Sequence, residues 1–265
     1  MLPCLRFSSL FSLPQPISVS WARIGLQNYI DMFSTGEFWL LIRNNLIFLI
    51  SIPGILLISL SVSVLLFEEV PGWRFFRSVY YLPTILSAVV VGFLMQILFT
   101  AQGAVNEILA SVGLDMLTRN WLGSAPTAFI VLIAAFYWQT LGQGVLIFLA
   151  GLSVIPAEVL EAARLDGAGW WRRLLRIIFP LLAPTVAYFL VINIIYVFVG
   201  LFALVYSTTG GGPGRATTPI DYMIYIKAFQ SNELGYASAL SVILLLLAVL
   251  FAWLQIRTLD KLAVD

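Results

Sequence analysis

The sequence predicts an all-α protein embedded in a membrane, on three observations. Of its 265 residues 61% are hydrophobic and only 10% charged, with a mean hydropathy of +0.99, against about 25% charged residues in an average soluble domain. The apolar residues gather into runs long enough to cross a bilayer, which takes about 20 residues of helix. Those runs are continuous and rich in Leu, whereas the strands of a barrel would be short and alternating.

Five runs meet the length: Leu46 to Phe67, Val79 to Phe99, Phe129 to Leu149, Thr185 to Tyr206 and Tyr236 to Leu254. Ahead of them, residues 1–37 form an N-terminal segment with the stretch "LPCLRFSSLFSLP", too short to span, interrupted by Arg6 and bounded by Pro3 and Pro14. This segment is expected to hold a truncated first helix and an external loop. No small-residue cleavage site follows it, which argues against a signal peptide. Residues 38–256 make up the transmembrane core, with 153–180 as a polar loop inside it, and 257–265 form a tail.

Orientation follows from Lys and Arg in the short loops, which favour the cytoplasmic side. Arg74, Arg77, Arg164, Arg172, Arg173, Arg176, Arg257 and Lys261 fall on one side. Arg23, Arg119, Arg215 and Lys227 are spread over longer segments on the other, with Arg43 at a span edge and Arg6 in the unassigned N-terminus. The compact, Arg-dense side is therefore expected in the cytoplasm, together with residues 153–180 and the C-terminus.

Composition also narrows the chemistry. A net charge of +1 gives no basic field for nucleic acid. The single cysteine, Cys4, and the absence of histidine remove internal disulfides, Cys/His zinc sites and imidazole bases.

The stretch "EAARLDGAGWWRRLLRIIFP", Glu161 to Pro180, is strongly polar between two apolar runs. Ser153 to Gly169 reads as a helix: Ser153 can cap it, Pro156 suits a first turn, Glu158 and Glu161 lie toward the positive end of the dipole, and Gly167 and Gly169 stop it. Val159, Leu160 and Ala163 fall on one side, Glu158, Glu161 and Arg164 on another. Such a helix lies along the membrane, anchored by Trp170, Trp171, Arg172 and Arg173 at headgroup level. On physics alone a plain amphipathic connector and a docking element for a soluble partner fit it equally.

The pattern Glu161-Ala162-Ala163, three residues, Gly167, nine residues, Ile177, one residue, Phe179-Pro180 resembles the EAA loop of binding-protein-dependent ABC importer permeases, with Phe179 in place of the usual Leu. "GGGPGRATT" (Gly210 to Thr218), "LGYASALSVILLLL" (Leu234 to Leu247), "GLQNYIDMF" (Gly25 to Phe33) and "RSVYYLPTILS" (Arg77 to Ser87) are similar to the carbohydrate and glycerol-3-phosphate uptake branch. The resemblance implies the type I importer permease fold with six spans, so that the first span here is shortened or begins upstream. It also implies a multi-pass protein of a bacterial or archaeal cytoplasmic membrane. In that family a second homologous permease completes the pathway, an ATPase dimer binds below, and an extracytoplasmic solute-binding protein delivers the solute. Residues 153–180 would then carry the coupling helix, with Glu161, Ala162, Ala163 and Gly167 at the ATPase contact.

The chain holds no P-loop, since its only lysines, Lys227 and Lys261, follow Ile226 and Asp260. ATP and Mg are thus expected on the partner ATPase, with no cofactor and no catalytic residue in this chain. "GGGPGRATT" reads as a flexible turn. For the solute, polar groups at membrane depth are the informative ones. Gln139 and Gln143 on the third run, and Asn193 and Tyr196 on the fourth, are candidates to line the path, the competing role being helix-to-helix hydrogen bonding. Asn44 and Asn45, beside Arg43, are expected at the outer interface, with Arg43 reaching the headgroups. A secondary transporter or a channel is the alternative class, although none of the five runs contains the Asp, Glu or His on which ion coupling usually relies.

Overall fold

The computed structural model describes residues 26–68 and 72–264. The expected first helix, with Cys4, Arg6 and Arg23, lies outside the described residues, as do the side chains of Arg74, Arg77 and Lys261. The described residues are helical, with no strand among them. Among the described residues three helices are long and apolar enough to cross a membrane, and up to five spans result if each of two bent pairs counts as one.

A short surface helix, α1 (Gln27–Ser34), leads into α2 (Gly36–Phe67), whose 32 residues extend about 48 Å at 1.5 Å per residue. That exceeds a ~30 Å hydrocarbon core, so α2 projects beyond it and carries Arg43, Asn44 and Asn45 inside a helix instead of at its edge. The expected second span is not straight. It consists of α3 (Trp73–Ile85) and α4 (Ala88–Leu98), with an angle of 111° between Val79–Ile85 and α4. The cause is local: Leu86 is extended, and Ser87 caps α4 by accepting from Val90 N at 3.3 Å.

After the outer helix α5 (Ala104–Ser111), α6 (Ala125–Leu152) runs unbroken through the bundle. Its end corrects one expectation. Ser153 terminates α6, its hydroxyl donating to Ala150 O at 2.7 Å, and does not cap the following helix. That helix, α7 (Ala157–Leu165), is shorter than the sequence predicts and begins after Pro156. Next comes α8 (Trp170–Leu181), which widens into a π turn at Leu174–Ile178 ahead of Pro180. It meets α9 (Ala183–Val199) at 81°. The expected fourth span is also interrupted at Gly200, beyond which α10 (Leu201–Thr208) begins. α11 (Ile220–Tyr225) and α12 (Leu234–Val264) complete the order.

Between lipid-embedded helices there is little hydrophobic drive, so close packing and interhelical hydrogen bonds hold the bundle. α2 packs on α6 and α9, α6 on α3, α4 on α10, and α9 on α12. Phe48, Phe136, Phe148 and Phe189 fill the main core, and Met32, Phe38, Phe198 and Met223 a second one near the α1 end. The bundle thus has an α7 end, reached by the C-termini of α2 and α6, and an opposite end carrying α5, α10 and the connection to α11.

Candidate functional site

At the α7 end the loop is built as a rigid bracket. Gly167, at φ +72°, takes a left-handed conformation that a side chain would oppose. It closes α7 with the paired bonds Gly167 N to Arg164 O at 3.0 Å and Ala168 N to Ala163 O at 3.1 Å. Glu161, Ala162 and Gly167 are exposed, whereas Ala163 is buried against its own chain. Leu160 is half-buried beside it, but Val159 is exposed, so the apolar side is narrower than the spacing suggests.

The bracket is tied to the spans by a carboxylate that the sequence did not single out. Glu68, at the end of α2, accepts from Arg173 Nη2 at 2.8 Å and from Arg164 Nη2 at 3.1 Å, both at Oε1. Arg173 therefore engages protein, not headgroups as expected. Trp170 packs onto the core while Trp171 stays exposed.

In the spans, two of the four candidate path residues meet. Tyr196 Oη donates to Gln139 Oε1 at 3.2 Å, and Tyr196 stacks on Phe136 at 5.7 Å. Gln139 Nε2 also donates to Leu86 O at 3.3 Å, at the bend between α3 and α4. Gln143 is exposed. Asn193 is buried and donates to Phe189 O at 2.8 Å in its own helix, so it is not joined to the Gln139–Tyr196 pair.

Asn44 and Asn45 correct a second expectation, for both are fully buried. Asn44 Nδ2 donates to Thr218 O at 2.9 Å. Asn45 Nδ2 donates to Val197 O at 2.8 Å, and its Oδ1 accepts from Ile220 N at 3.0 Å. Arg43 is the exposed member of the three and donates to Asn44 Oδ1 at 3.4 Å. These bonds, with the Arg215–Glu37 ion pair, fasten Gly210 to Thr218 onto α2. Thr209 and Thr217 hydroxyls add a bond of 2.9 Å, and Thr217 and Thr218 are buried. The glycine-rich stretch is a packed loop and not the flexible turn expected.

Asp221 is the other residue that sequence reading missed. Its Oδ2 accepts from Phe202 N at 2.7 Å, satisfying a first-turn N–H of α10, and its Oδ1 accepts from Tyr222 N at 2.8 Å. Burial pushes its carboxyl up to about 7, outweighing the backbone donors that pull it down. The available signal was Pro219 just ahead of an acidic residue, a helix-start pattern in a connection between spans.

A bundle of apolar helices, some bent, with a rigid polar bracket at one end and polar side chains facing one another inside, defines a multi-pass membrane transport subunit. The chain matches the family described as the binding-protein-dependent transport system inner membrane component over residues 40–258. It belongs to that family: it is a permease subunit and not an enzyme, and such importers hydrolyse ATP in a separate subunit. It is 32% identical over 241 residues to the probable ABC transporter permease protein YurN of Bacillus subtilis (strain 168), covering 88% of this chain and 81% of that protein. It is 33% identical over 245 residues to the sn-glycerol-3-phosphate transport system permease protein UgpA of Agrobacterium fabrum (strain C58 / ATCC 33970), covering 90% and 81%. Among solved structures, a bacterial ABC transporter involved in the import of the acidic polysaccharide alginate shares the fold, with a TM-score of 0.77 at 24% identity over 90% of this chain and 84% of that one.

Proposed function

We propose that this chain forms half of the membrane pathway of an ATP-driven importer for a sugar or related polar solute, driven through residues 153–180. In this reading the Arg-dense α7 end faces the cytoplasm, and α7 seats in a separate ATPase dimer that binds ATP and Mg. A second homologous permease supplies the other half, and a solute-binding protein delivers cargo to the opposite end. One similar solved structure is described as an alginate ABC transporter in complex with a periplasmic protein bound to alginate pentasaccharide, which supports such a partner here. The names of the relatives support a carbohydrate or polyol-phosphate cargo.

The observation that carries the reading is the bracket itself. α7 exposes Glu161, Ala162 and Gly167 while Ala163 and the Glu68 clasp hold it to the spans. Movement imposed on the exposed side therefore reaches α2 without loss in a soft connection, and nucleotide binding can bias two packed arrangements of the bundle. Gln139, Gln143, Asn193 and Tyr196 are proposed to serve the solute route, with the Gln139–Tyr196 bond as its closed arrangement.

The test is Glu161→Lys in the complete complex reconstituted in proteoliposomes. Membrane insertion is expected to be unchanged and ATP hydrolysis to persist, while uptake falls at least tenfold. Uptake at the wild-type rate would remove the docking role from α7.

A further inference from the structure

Five aromatic rings form a continuous ladder on α10, α11 and the turn after it. Phe202 lies 5.7 Å from Tyr206, 5.5 Å from Tyr222 and 4.9 Å from Tyr225, and Tyr225 lies 5.4 Å from Phe229. Tyr206 closes the set at 5.8 Å from Tyr222. The ladder is open to one side: Tyr206 is 47% and Phe229 77% exposed. Tyr222 Oη is held by Gly210 O at 3.4 Å, but the hydroxyls of Tyr206 and Tyr225 have no protein hydrogen-bond partner among the described residues.

This surface differs from the lipid-facing sides of the bundle, where α12 presents Leu245, Leu246, Val249 and Leu250. The two phenols with unbonded hydroxyls, Tyr206 and Tyr225, are costly as a lipid face, because those groups find no water in hydrocarbon. The inner end of the ladder joins the polar pair in the spans. Phe202 N donates to Asp221, and the Phe202 and Tyr196 rings both pack on the main core, where Tyr196 bonds Gln139.

Charge narrows the ligand further. The cations described at this end are engaged elsewhere: Arg43 with Asn44 at 3.4 Å, Arg215 with Glu37, Lys227 with Glu233 and over the Tyr236 ring at 4.9 Å, and Arg119 over Trp121 at 5.3 Å. Among the described residues no Lys or Arg sits over a ring of the ladder. The carboxylate bonded to the ladder's backbone, Asp221 through Phe202 N, offers an anion no positive partner. Aromatic faces with free hydroxyls suit a pyranose instead, whose axial C–H groups stack on a ring while its hydroxyls take the phenol.

Resting on the importer reading above, we infer that this ladder is the outer sugar-contact surface of the chain's half of the pathway, selecting neutral pyranose-bearing saccharides over phosphate esters and uronates. Its partners in the route are Tyr196 and Gln139, toward which a stacked ring is handed inward.

The test uses the complete complex, with ATPase, second permease and binding protein, in proteoliposomes. Three probes are offered: a neutral disaccharide set of maltose, cellobiose and lactose, digalacturonate, and sn-glycerol 3-phosphate. The wild type is expected to take up a neutral disaccharide and neither anion. Tyr206→Leu and Tyr225→Leu are expected to raise its KM about tenfold, with maximal rate and ATPase stimulation kept, while Tyr225→Phe, which keeps the ring and loses only the hydroxyl, raises it about threefold. An unchanged KM in both Leu variants, or uptake of either anion in preference to the neutral sugars, overturns the assignment. Loss of the second permease from the Leu variants does so as well, because the ladder is then a subunit interface. A wild-type complex that moves none of the probe classes with ATP and binding protein present overturns the importer reading and the ladder with it.

Discussion

Arg173 Nη2 lies 2.8 Å from Glu68 Oε1, so the segment that follows α7 is bonded directly to the end of α2. Arg164 reaches the same oxygen at 3.1 Å, but its side chain is 52% exposed against 15% for Arg173. A charge-assisted bond is stronger where water is excluded, and exposed pairs contribute little. Arg173→Gln is therefore expected to lower solute moved per ATP roughly fivefold to tenfold, from a contact worth ~1 kcal/mol after allowing for its partial exposure. Arg164→Gln should stay within about twofold. Paired measurements of uptake and hydrolysis decide it, and the reverse ranking would break the clasp argument.

Ala162 and Ala163 are neighbours with opposite surroundings, the first exposed and the second buried. Cysteine at 162 is expected to cross-link to a cysteine-bearing ATPase subunit, and cysteine at 163 to stay unreactive toward maleimide until the complex is unfolded. Ala163→Leu overfills its site, at a cost of about 1–3 kcal/mol, and should lower the apparent Tm without abolishing insertion. Equal labelling at both positions would place α7 differently against its own chain.

Asn45 joins three segments through two bonds, to Val197 O at 2.8 Å and from Ile220 N at 3.0 Å. Asn45→Leu leaves both backbone groups buried and unpaired, at about 1–3 kcal/mol each. The apparent Tm of the purified complex should fall by several degrees, and protease should cut between Thr209 and Ile220 more readily. An unshifted Tm with wild-type protease resistance would show that the loop is held by other contacts.

The spans were legible because lipid demands long apolar runs, and these need no knowledge of neighbours. The breaks were not, since Ser87 and Gly200 sit inside apolar stretches whose length alone promises a straight helix. Asn44 was misjudged for a related reason: its partners, the carbonyls of Arg215 and Thr218, are 171 and 174 residues away. Only the folded loop turns a boundary asparagine into a buried one. The α7 bracket was visible in its Glu-Ala-Ala and Gly spacing, yet its anchor Glu68 lies 105 residues from Arg173 and carries no local signal.

Asp221 gives a pH dependence whose sign follows from burial. Its carboxyl rises from 3.8 to about 7 in the folded chain, so the folded state binds the proton more tightly than the unfolded one. The stability it contributes is full below about pH 4 and is lost as pH rises through about 7. The Tm of the purified complex should therefore decline between pH 5 and 8, and Asp221→Asn, which cannot ionise, should flatten that decline. A wild-type curve rising over this range, or an unaltered slope in the variant, contradicts the burial argument.

Gly144 of α6 sits where α6 meets both α2 and α9 at close range. A Cβ built there would stand 2.7 Å from Phe189 Cε2 of α9 and 2.8 Å from Ser59 Cβ of α2. Both neighbours are fully buried; the Phe189 ring is also held 5.1 Å from Phe148, so neither can yield without displacing others. In a bundle held by close packing, such contact is gained only with a residue lacking a side chain. Gly144→Ala must push α6 away from α2 and α9, and Gly144→Val must push further. Since α2 and α6 both deliver their C-termini to the α7 end, the displacement also loosens the bracket. Ala is expected to lower the apparent Tm by a few degrees with partial uptake, and Val to abolish uptake while hydrolysis by the ATPase continues. If both variants keep wild-type Tm and uptake, the three helices are not packed at this point, and force from α7 must reach the pathway by another route.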